Sequence, residues 1–157
     1  MMGRTIDELS VGDHAEITRV VDEGDIAAFV DAIGDFNPLH VDPDYAATTP
    51  FREPIAPGIF TAGLISAVIG TKMPGPGTIY LAQTLKFMKP VRAGDLITAR
   101  VDVVEVIEAH NRVRLRTVCL NEEDEVLSGE ALVMPVTRAA TRGLPVYPER
   151  LTSSHVL

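Results

Sequence analysis

Apolar residues in the first third of the chain recur at the spacing of an amphipathic helix. Between residues 22 and 34 the apolar positions include Ile26, Phe29, Val30 and Ile33. Because they lie three and four positions apart, they share one face of a helix. Asp22 or Asp25 can cap the start of this helix, and Gly34 can cap its end. The segment before it, residues 14–21, predicts a short first strand.

A second helix is predicted over residues 59–72, and it is apolar on nearly every side. Its apolar residues include Ile59, Phe60, Ala62, Leu64, Ile65, Ala67, Val68 and Ile69. A helix without a polar face is normally buried, so this one is expected at the centre of the protein. Pro57 suits its first helical position, where the missing N–H costs little. The loop MPGPG, residues 73–77, ends the helix.

The second half of the chain has the pattern of strands joined by short turns. Segments rich in β-forming or alternating residues cover 78–88, 96–107, 112–120 and 125–136. Such strands with short connections predict an antiparallel meander. One antiparallel β-sheet wrapped around one central apolar α-helix describes the hotdog fold, of the α+β class. We expect this domain to cover residues 1–138, and residues 139–157 to form a C-terminal tail.

Length and charge limit the chain to one domain and narrow its partners. A chain of 157 residues supports one full hydrophobic core. Its net charge of −8 disfavours nucleic acid as a partner, because phosphate binding needs clustered Lys and Arg. No apolar stretch reaches the roughly 18–20 residues of a membrane span, so no membrane partner is expected.

Cysteine and histidine patterns argue against disulfides and metal sites. Cys119 is the single cysteine, which suits a reducing compartment. It lies on the apolar side of an alternating strand, so we expect a buried and unreactive thiol. The start of the chain has charged residues and no long apolar run, and we therefore expect a cytoplasmic protein. No spacing of His, Cys and carboxylate residues is typical of a metal site.

The segment GDFNPLHVDP, residues 34–43, carries the most informative chemistry. Its two prolines and one asparagine favour turns over a regular helix. Asp35 and His40 lie on either side of the turn that Asn37 and Pro38 stiffen, so both side chains can point at one place. A carboxylate and an imidazole that share a water can accept one proton and supply or relay another. Adding water to an α,β-unsaturated thioester requires both steps.

The same reaction needs a group that stabilises negative charge on the thioester oxygen. The first turn of the apolar helix offers one, because its amides lack partners and lie at the positive end of the helix dipole. Gly58 presents a backbone N–H there with no side chain to obstruct it. One well-placed donor of this kind lowers the barrier by roughly 3 kcal/mol in a dry site.

Together these residues resemble the signature of the MaoC-like, or hydratase 2, family, typified by the (R)-specific enoyl-CoA hydratases that feed polyhydroxyalkanoate synthesis. The similarity continues through residues 46–51, 54–55, 79–83, 87, 90–91 and 94–95, and covers about residues 10–136. It implies the hotdog fold, a homodimer with its site near the subunit interface, and syn hydration to an (R)-3-hydroxyacyl product. By position, it implies that Asp35 and His40 are the catalytic pair and that the Gly58 amide is the oxyanion donor.

Four further residues are candidate substrate contacts, each with a structural alternative. By resemblance, Ser66 stands where these enzymes often have a small polar residue, although a buried serine also bonds back to a helix carbonyl. Asn37 suits loop stabilisation at least as well as substrate binding. Tyr80 and Gln83 are divided between the core and the lining of the site. Pro57 departs from the family, which often has histidine there, and this bears on the substrate more than on the reaction.

The sequence thus predicts a hydro-lyase, an (R)-specific enoyl-CoA hydratase that is reversible as a 3-hydroxyacyl-CoA dehydratase. Its substrate is an acyl-CoA thioester, and no cofactor is expected beyond the coenzyme A of that substrate. Lys86, Lys89 and Arg92 are candidate contacts for the coenzyme A phosphates, and a solvated face explains them at least as well.

Three alternative functions stay open. The first is a 3-hydroxyacyl dehydratase acting on acyl carrier protein, which performs the same chemistry. The second is a hotdog acyl-CoA thioesterase, disfavoured because residues 59–72 contain no acidic side chain. The third is a non-catalytic acyl-CoA-binding subunit, disfavoured because Asp35 and His40 are both present.

Overall fold

The computed structural model describes residues 2–138, in which six antiparallel strands form one sheet beside four α-helices. The helices are α1 (Glu23–Ile33), α2 (Pro38–Val41), α3 (Pro43–Ala47) and α4 (Gly58–Thr71). The strands are β1 (His14–Val20), β2 (Ile79–Gln83), β3 (Lys86–Phe87), β4 (Leu96–Ile107), β5 (Arg112–Asn121) and β6 (Asp124–Met134). The predicted tail at 139–157 lies outside the described residues.

The order of strands in the sheet is β1–β4–β5–β6–β2, and β3 also pairs with β6. Strands β4, β5 and β6 form the predicted meander. The prediction was wrong for segment 78–88, which is two strands and lies beside β6 instead of beside β4. The physical reason is that β1 already occupies the free edge of β4, from His14 opposite Asp102 to Val20 opposite Leu96. Residue alternation sets the face of a strand and leaves its neighbour open.

Two backbones approach closely where β2 ends and β3 begins. The Thr84 N–H donates to the Glu130 carbonyl at 2.9 Å, and the Glu130 N–H donates to the Thr84 hydroxyl at 3.0 Å. This places the Thr84 carbonyl over Gly129, where an added Cβ would lie 1.8 Å from its oxygen. The predicted strand is therefore interrupted at a contact that requires glycine at position 129, because glycine has no side chain.

Helix α1 begins and ends where its capping residues predict. The Asp22 carboxylate accepts a hydrogen bond from the Asp25 N–H at 2.8 Å, which satisfies one of the free first-turn amides. Gly34 ends the helix in the left-handed region, with φ 75°, a conformation that suits glycine. The chain therefore turns away sharply just before Asp35.

The prediction that residues 35–43 form no regular helix was wrong for one turn. Helix α2 has Pro38 in its first turn, where a proline costs little because that N–H has no helical partner. Its cap is Asn37, whose side-chain oxygen accepts from the Leu39 N–H at 3.1 Å. The same proline and asparagine that exclude a long helix therefore start a short one.

Helix α4 packs on β1, β4 and β5, but only one of its sides is covered within residues 2–138. The covered residues are Phe60, Thr61, Leu64, Ile65, Val68 and Ile69. On the other side Ile59 is 55% exposed, and Gly63 and Ser66 are also exposed. Residues 2–138 therefore bury about half of the helix that the sequence predicts to be buried.

The Gly129→Ala variant tests the close approach at the β2–β3 break. The new methyl group would overlap the Thr84 carbonyl, and overpacking against backbone destabilises by about 1–3 kcal/mol. Urea unfolding followed by circular dichroism should show this loss, whereas the neighbouring Ser128→Ala control should stay within about 0.5 kcal/mol of the parent. Equal unfolding midpoints for the two variants would contradict the approach.

Candidate active site

Asp35 and His40 are brought together as the sequence predicts. Asp35 directly follows the end of α1, and His40 lies in α2. The distance between Asp35 Oδ2 and His40 Nε2 is 3.7 Å, and the side chains are 44% and 10% exposed respectively. At that separation the two atoms do not share a direct hydrogen bond. A water can lie between them, about 2.8 Å from each.

The other ring nitrogen of His40 is held by the backbone of Ile55. His40 Nδ1 lies 2.7 Å from the Ile55 carbonyl oxygen. A carbonyl only accepts hydrogen bonds, so in this contact Nδ1 carries the proton. A neutral imidazole then keeps its lone pair at Nε2, on the side of Asp35. The site therefore presents two proton acceptors to whatever lies between them.

The loop that carries the pair is fastened from two directions. The Ile55 N–H donates to the Leu39 carbonyl at 3.2 Å, so both backbone groups of Ile55 hold α2. The Asp42 carboxylate accepts from the Asp44 and Tyr45 N–H groups at 3.0 Å each and so caps α3. The side-chain oxygen of Asn37 also caps a helix, α2. Asn37 therefore stabilises the loop, which is the structural alternative to substrate binding.

Gly58 is the first residue of α4, and the residue before it is the N-cap. Pro57 has ψ 133°, outside the helical range, so the prediction that it is the first helical residue was wrong by one position. The fixed φ of a proline fits either position. The Gly58 N–H has no hydrogen-bond acceptor within residues 2–138, as expected of a first-turn amide. A free donor therefore lies at the start of the helix.

Two cavities flank this segment. One, of about 380 Å³, is lined mainly by apolar residues, namely Phe51, Ile55, Ala56, Gly58, Ile59, Phe87, Met88, Lys89 and Pro90. The other, of about 410 Å³, is lined by a more polar set that includes His40, Glu53 and Arg92. Gly58 and His40 thus line different cavities of the single chain, and Asp35 lines neither. Ile55 links them, because it lines the first and its carbonyl holds His40.

Tyr80 and Gln83 are tied to each other and to the sheet. The Tyr80 hydroxyl donates to the Gln83 side-chain oxygen, and Gln83 Nε2 donates to the Thr117 hydroxyl at 2.9 Å and to the Thr84 carbonyl at 2.7 Å. Burial raises the pKa of Tyr80 to about 12, so the phenol stays a neutral donor. This network matches the structural alternative for both residues.

Ser66 lies on the exposed side of α4, eight positions after Gly58 and on the same face of the helix. Its side chain is therefore not enclosed by the described part of its own chain.

The structure also adds two site features that the residue pattern did not single out. Phe87, which the sequence indicates only through the family resemblance, lies against Gly58 and lines the same cavity. The Ile55 carbonyl orients His40. Side-chain patterns carry no signal for a backbone carbonyl, so the second feature could not be read from the sequence. The sequence contains only a weak indication for Phe87, which is an aromatic residue in a predicted strand that follows the apolar helix.

Within residues 2–138, no three or more His, Cys, Asp or Glu side chains are grouped as metal ligands would be. In the same range, no helix is long and apolar enough to cross a membrane.

Sequence comparison decides the family. The family model of the MaoC-like domain matches residues 10–125, a range that contains α1 to α4 and the proposed pair. The chain belongs to the MaoC-like domain family. It is 45% identical to the 3-hydroxybutyryl-CoA dehydratase of Methylorubrum extorquens, over 81% of each chain. It is 44% identical to the (R)-specific enoyl-CoA hydratase of Rhodospirillum rubrum, over 84% of this chain and 92% of that one.

A solved structure of the family is similar throughout. The (R)-hydratase of Aeromonas caviae involved in PHA biosynthesis is 40% identical, with a TM-score of 0.79 over 82% of this chain and 98% of that one. With the sequence relatives, it confirms the predicted family, the hotdog fold and the hydro-lyase class of enzyme.

The single cysteine of this MaoC-like protein should be inert in the folded state. Cys119 is fully buried, and burial raises the pKa of its thiol to about 12. Near pH 8 almost no reactive thiolate forms in the fold, whereas an unfolded cysteine has a pKa near 8.5. Labelling with Ellman's reagent should be at least about tenfold slower in buffer than in guanidinium. Rapid labelling in buffer would contradict the burial.

Proposed function

We propose that this protein is an (R)-specific enoyl-CoA hydratase, reversible as a 3-hydroxyacyl-CoA dehydratase. The observation that carries the proposal is the 3.7 Å separation of Asp35 Oδ2 and His40 Nε2, with Nδ1 of His40 held by a carbonyl. Two relatives above 40% identity are named for the hydratase and dehydratase directions of this reaction. Both directions pass through the same charged intermediate, so one site serves both.

The pair activates water and restores the proton balance. Asp35, as the principal base, accepts a proton while the water oxygen bonds to Cβ of the enoyl group. The electrons of the carbon–carbon double bond move onto the thioester oxygen. The proton that Asp35 accepted passes to Nε2 of His40, and Nε2 then delivers it to Cα, so both side chains return to their starting protonation state. Both new bonds form on the side of the pair, which accounts for syn addition.

The Gly58 amide stabilises the oxygen that becomes negative. Its N–H has no acceptor within the described chain and lies at the positive end of α4. A donor that is already oriented costs no reorganisation when the charge develops. Ser66, on the same helix face, is proposed to line the site beyond this amide. Asn37, Tyr80 and Gln83 are proposed to support the site from its periphery through the hydrogen bonds described above.

The apolar cavity beside Gly58 suits an acyl chain. Burial of each methylene in it contributes about 0.8 kcal/mol. Lys89 lines the same cavity and pairs with Asp124 at 2.6 Å. Both charges are more than half exposed, and such pairs are worth little. A phosphate of coenzyme A can therefore replace the carboxylate at small cost.

A homodimer completes the molecule in this proposal. The exposed side of α4 and the edge strand β2, where Ile79 and Leu81 are 50% and 41% exposed, present apolar surface that a second copy can cover. Within residues 2–138, one edge of β2 has no strand partner and also offers backbone groups for pairing. A cytoplasmic location remains part of the proposal, because a single cysteine suits a reducing compartment. A role in polyhydroxyalkanoate synthesis is proposed from the Aeromonas relative alone.

The hydration of crotonyl-CoA tests the reaction, and the loss of enoyl-thioester absorbance measures its rate. Asp35→Asn and His40→Gln should each lower kcat by at least about 100-fold, because each removes one proton acceptor. The control is Asp31→Asn, which removes the same charge from an exposed position on α1 and should leave kcat unchanged. Near-normal hydration by Asp35→Asn would exclude the mechanism.

The same assay separates the alternatives. An acyl-carrier-protein dehydratase would hydrate crotonyl-carrier protein much faster than crotonyl-CoA. A thioesterase would release free thiol, and a non-catalytic subunit would do neither. Chiral analysis of the product checks the predicted (R) configuration.

The Gly63→Arg variant tests the dimer. A Cβ at position 63 meets no atom of residues 2–138 within 4 Å beyond its own helix backbone, so the folded protomer should tolerate a side chain there. An arginine there should disrupt a partner that covers α4. Sedimentation should show twice the chain mass for the parent and the single mass for the variant. Ala109→Arg, at an exposed position in the β4–β5 turn, is the matched control. A monomeric parent would contradict the proposal.

A further inference from the structure

The ring of Phe87 lies directly against the first residue of α4. A Cβ built on Gly58 would lie 2.7 Å from Phe87 Cε1 and 2.8 Å from Cδ1, distances that real Cβ atoms do not reach. The ring therefore occupies the space where a side chain at position 58 would be. Because Phe87 is 51% exposed, one side of the ring is open while the other covers glycine.

The strand beneath this ring is held firmly. Phe87 pairs with Leu127, which is fully buried, in β6. The next residue along, Met88, donates its N–H to the Val126 carbonyl at 2.9 Å. The backbone at Phe87 and at the next residue is thus held by β6, and this fixes the point from which the Phe87 side chain leaves the strand. The position of the ring follows from the pairing of β3 with β6.

The contact places the ring beside the amide that the proposed function assigns to the thioester oxygen. The Cβ position of a residue is about 2.5 Å from its own nitrogen, and in a helix it leans toward the N-terminus. First-turn N–H groups point the same way. A thioester oxygen about 2.9 Å from the Gly58 nitrogen therefore lies next to the ring. The α-carbon of the acyl group is two bonds from that oxygen.

We propose that Phe87 is a specificity-determining residue that excludes acyl groups with a substituent on the α-carbon. This inference rests on the proposed hydratase function and concerns the substrate class of the same site. An unbranched enoyl thioester passes the ring edge with only hydrogen on its α-carbon. A methyl group there occupies the space between the α-carbon and the ring. The apolar cavity beyond is unaffected, so the chain beyond the β-carbon is selected separately.

The experiment compares crotonyl-CoA with 2-methylcrotonyl-CoA as substrates. The parent should strongly prefer crotonyl-CoA in kcat/KM. Phe87→Ala should raise the ratio of 2-methylcrotonyl to crotonyl activity by at least about tenfold, the usual effect of one methyl group in a fitted pocket. Val104→Ala removes an apolar side chain that is 41% exposed on β4, outside the lining of this cavity, and should leave the ratio unchanged.

A second set of variants tests whether the ring acts through its contact with Gly58. Gly58→Ala alone should displace the ring and lower crotonyl-CoA hydration. The same change should have a much smaller effect in the Phe87→Ala background, where the new methyl group has room. Such coupling between contacting residues appears as non-additivity in a double-mutant cycle. Purely additive effects would overturn the contact as the source of selectivity.

The outcomes separate this inference from the function on which it rests. A parent enzyme that hydrates neither substrate overturns the proposed function. A parent that hydrates crotonyl-CoA, with a ratio unchanged in Phe87→Ala, overturns the role of Phe87 alone. Thermal melts verify that each variant is folded. Should the alanine variant unfold, Phe87→Leu keeps an apolar side chain in β3 and provides the same comparison, because leucine lacks the far edge of the ring.

Discussion

The site depends on two backbone hydrogen bonds of one residue, Ile55. Its carbonyl holds His40 Nδ1 at 2.7 Å, and its N–H donates to the Leu39 carbonyl at 3.2 Å. Together they fasten α2 to the segment that leads into α4. The imidazole is therefore oriented by the same stretch of chain that ends at Gly58. A carbonyl partner also decides the tautomer of the ring, which leaves Nε2 available as a proton acceptor.

Polar groups in this fold fall into two kinds, satisfied and unsatisfied. Tyr80, Gln83 and Thr117 hydrogen-bond to one another, and buried polar groups normally have such partners. By contrast, the Gly58 N–H has no acceptor within residues 2–138, and Asp35 and His40 Nε2 face each other across a gap. In the proposed function, the attacking water and the thioester oxygen supply the missing partners of these groups.

Local patterns predicted the bounds of those elements that depend on their own residues and not on the strand or helix packed beside them. Strand β4 has the predicted bounds, 96–107, and α1 is capped at Asp22 and Gly34 as its sequence indicates. The pattern of segment 78–88 predicts one strand, whereas the structure has two, because the interruption comes from the Thr84 carbonyl lying over Gly129. That contact joins residues far apart in the chain, and no local pattern contains it.

The amino-acid sequence by itself determined the helix periodicity, the strand alternation and the residue types of the site, Asp35, His40 and Gly58. These follow from spacing and side-chain chemistry, which are local properties. Tertiary structure alone decided that the Ile55 carbonyl orients the histidine and that the Phe87 ring rests on the helix start. Both depend on where distant backbones meet. That is settled by packing and strand pairing over the whole domain, so it cannot be read from any single segment.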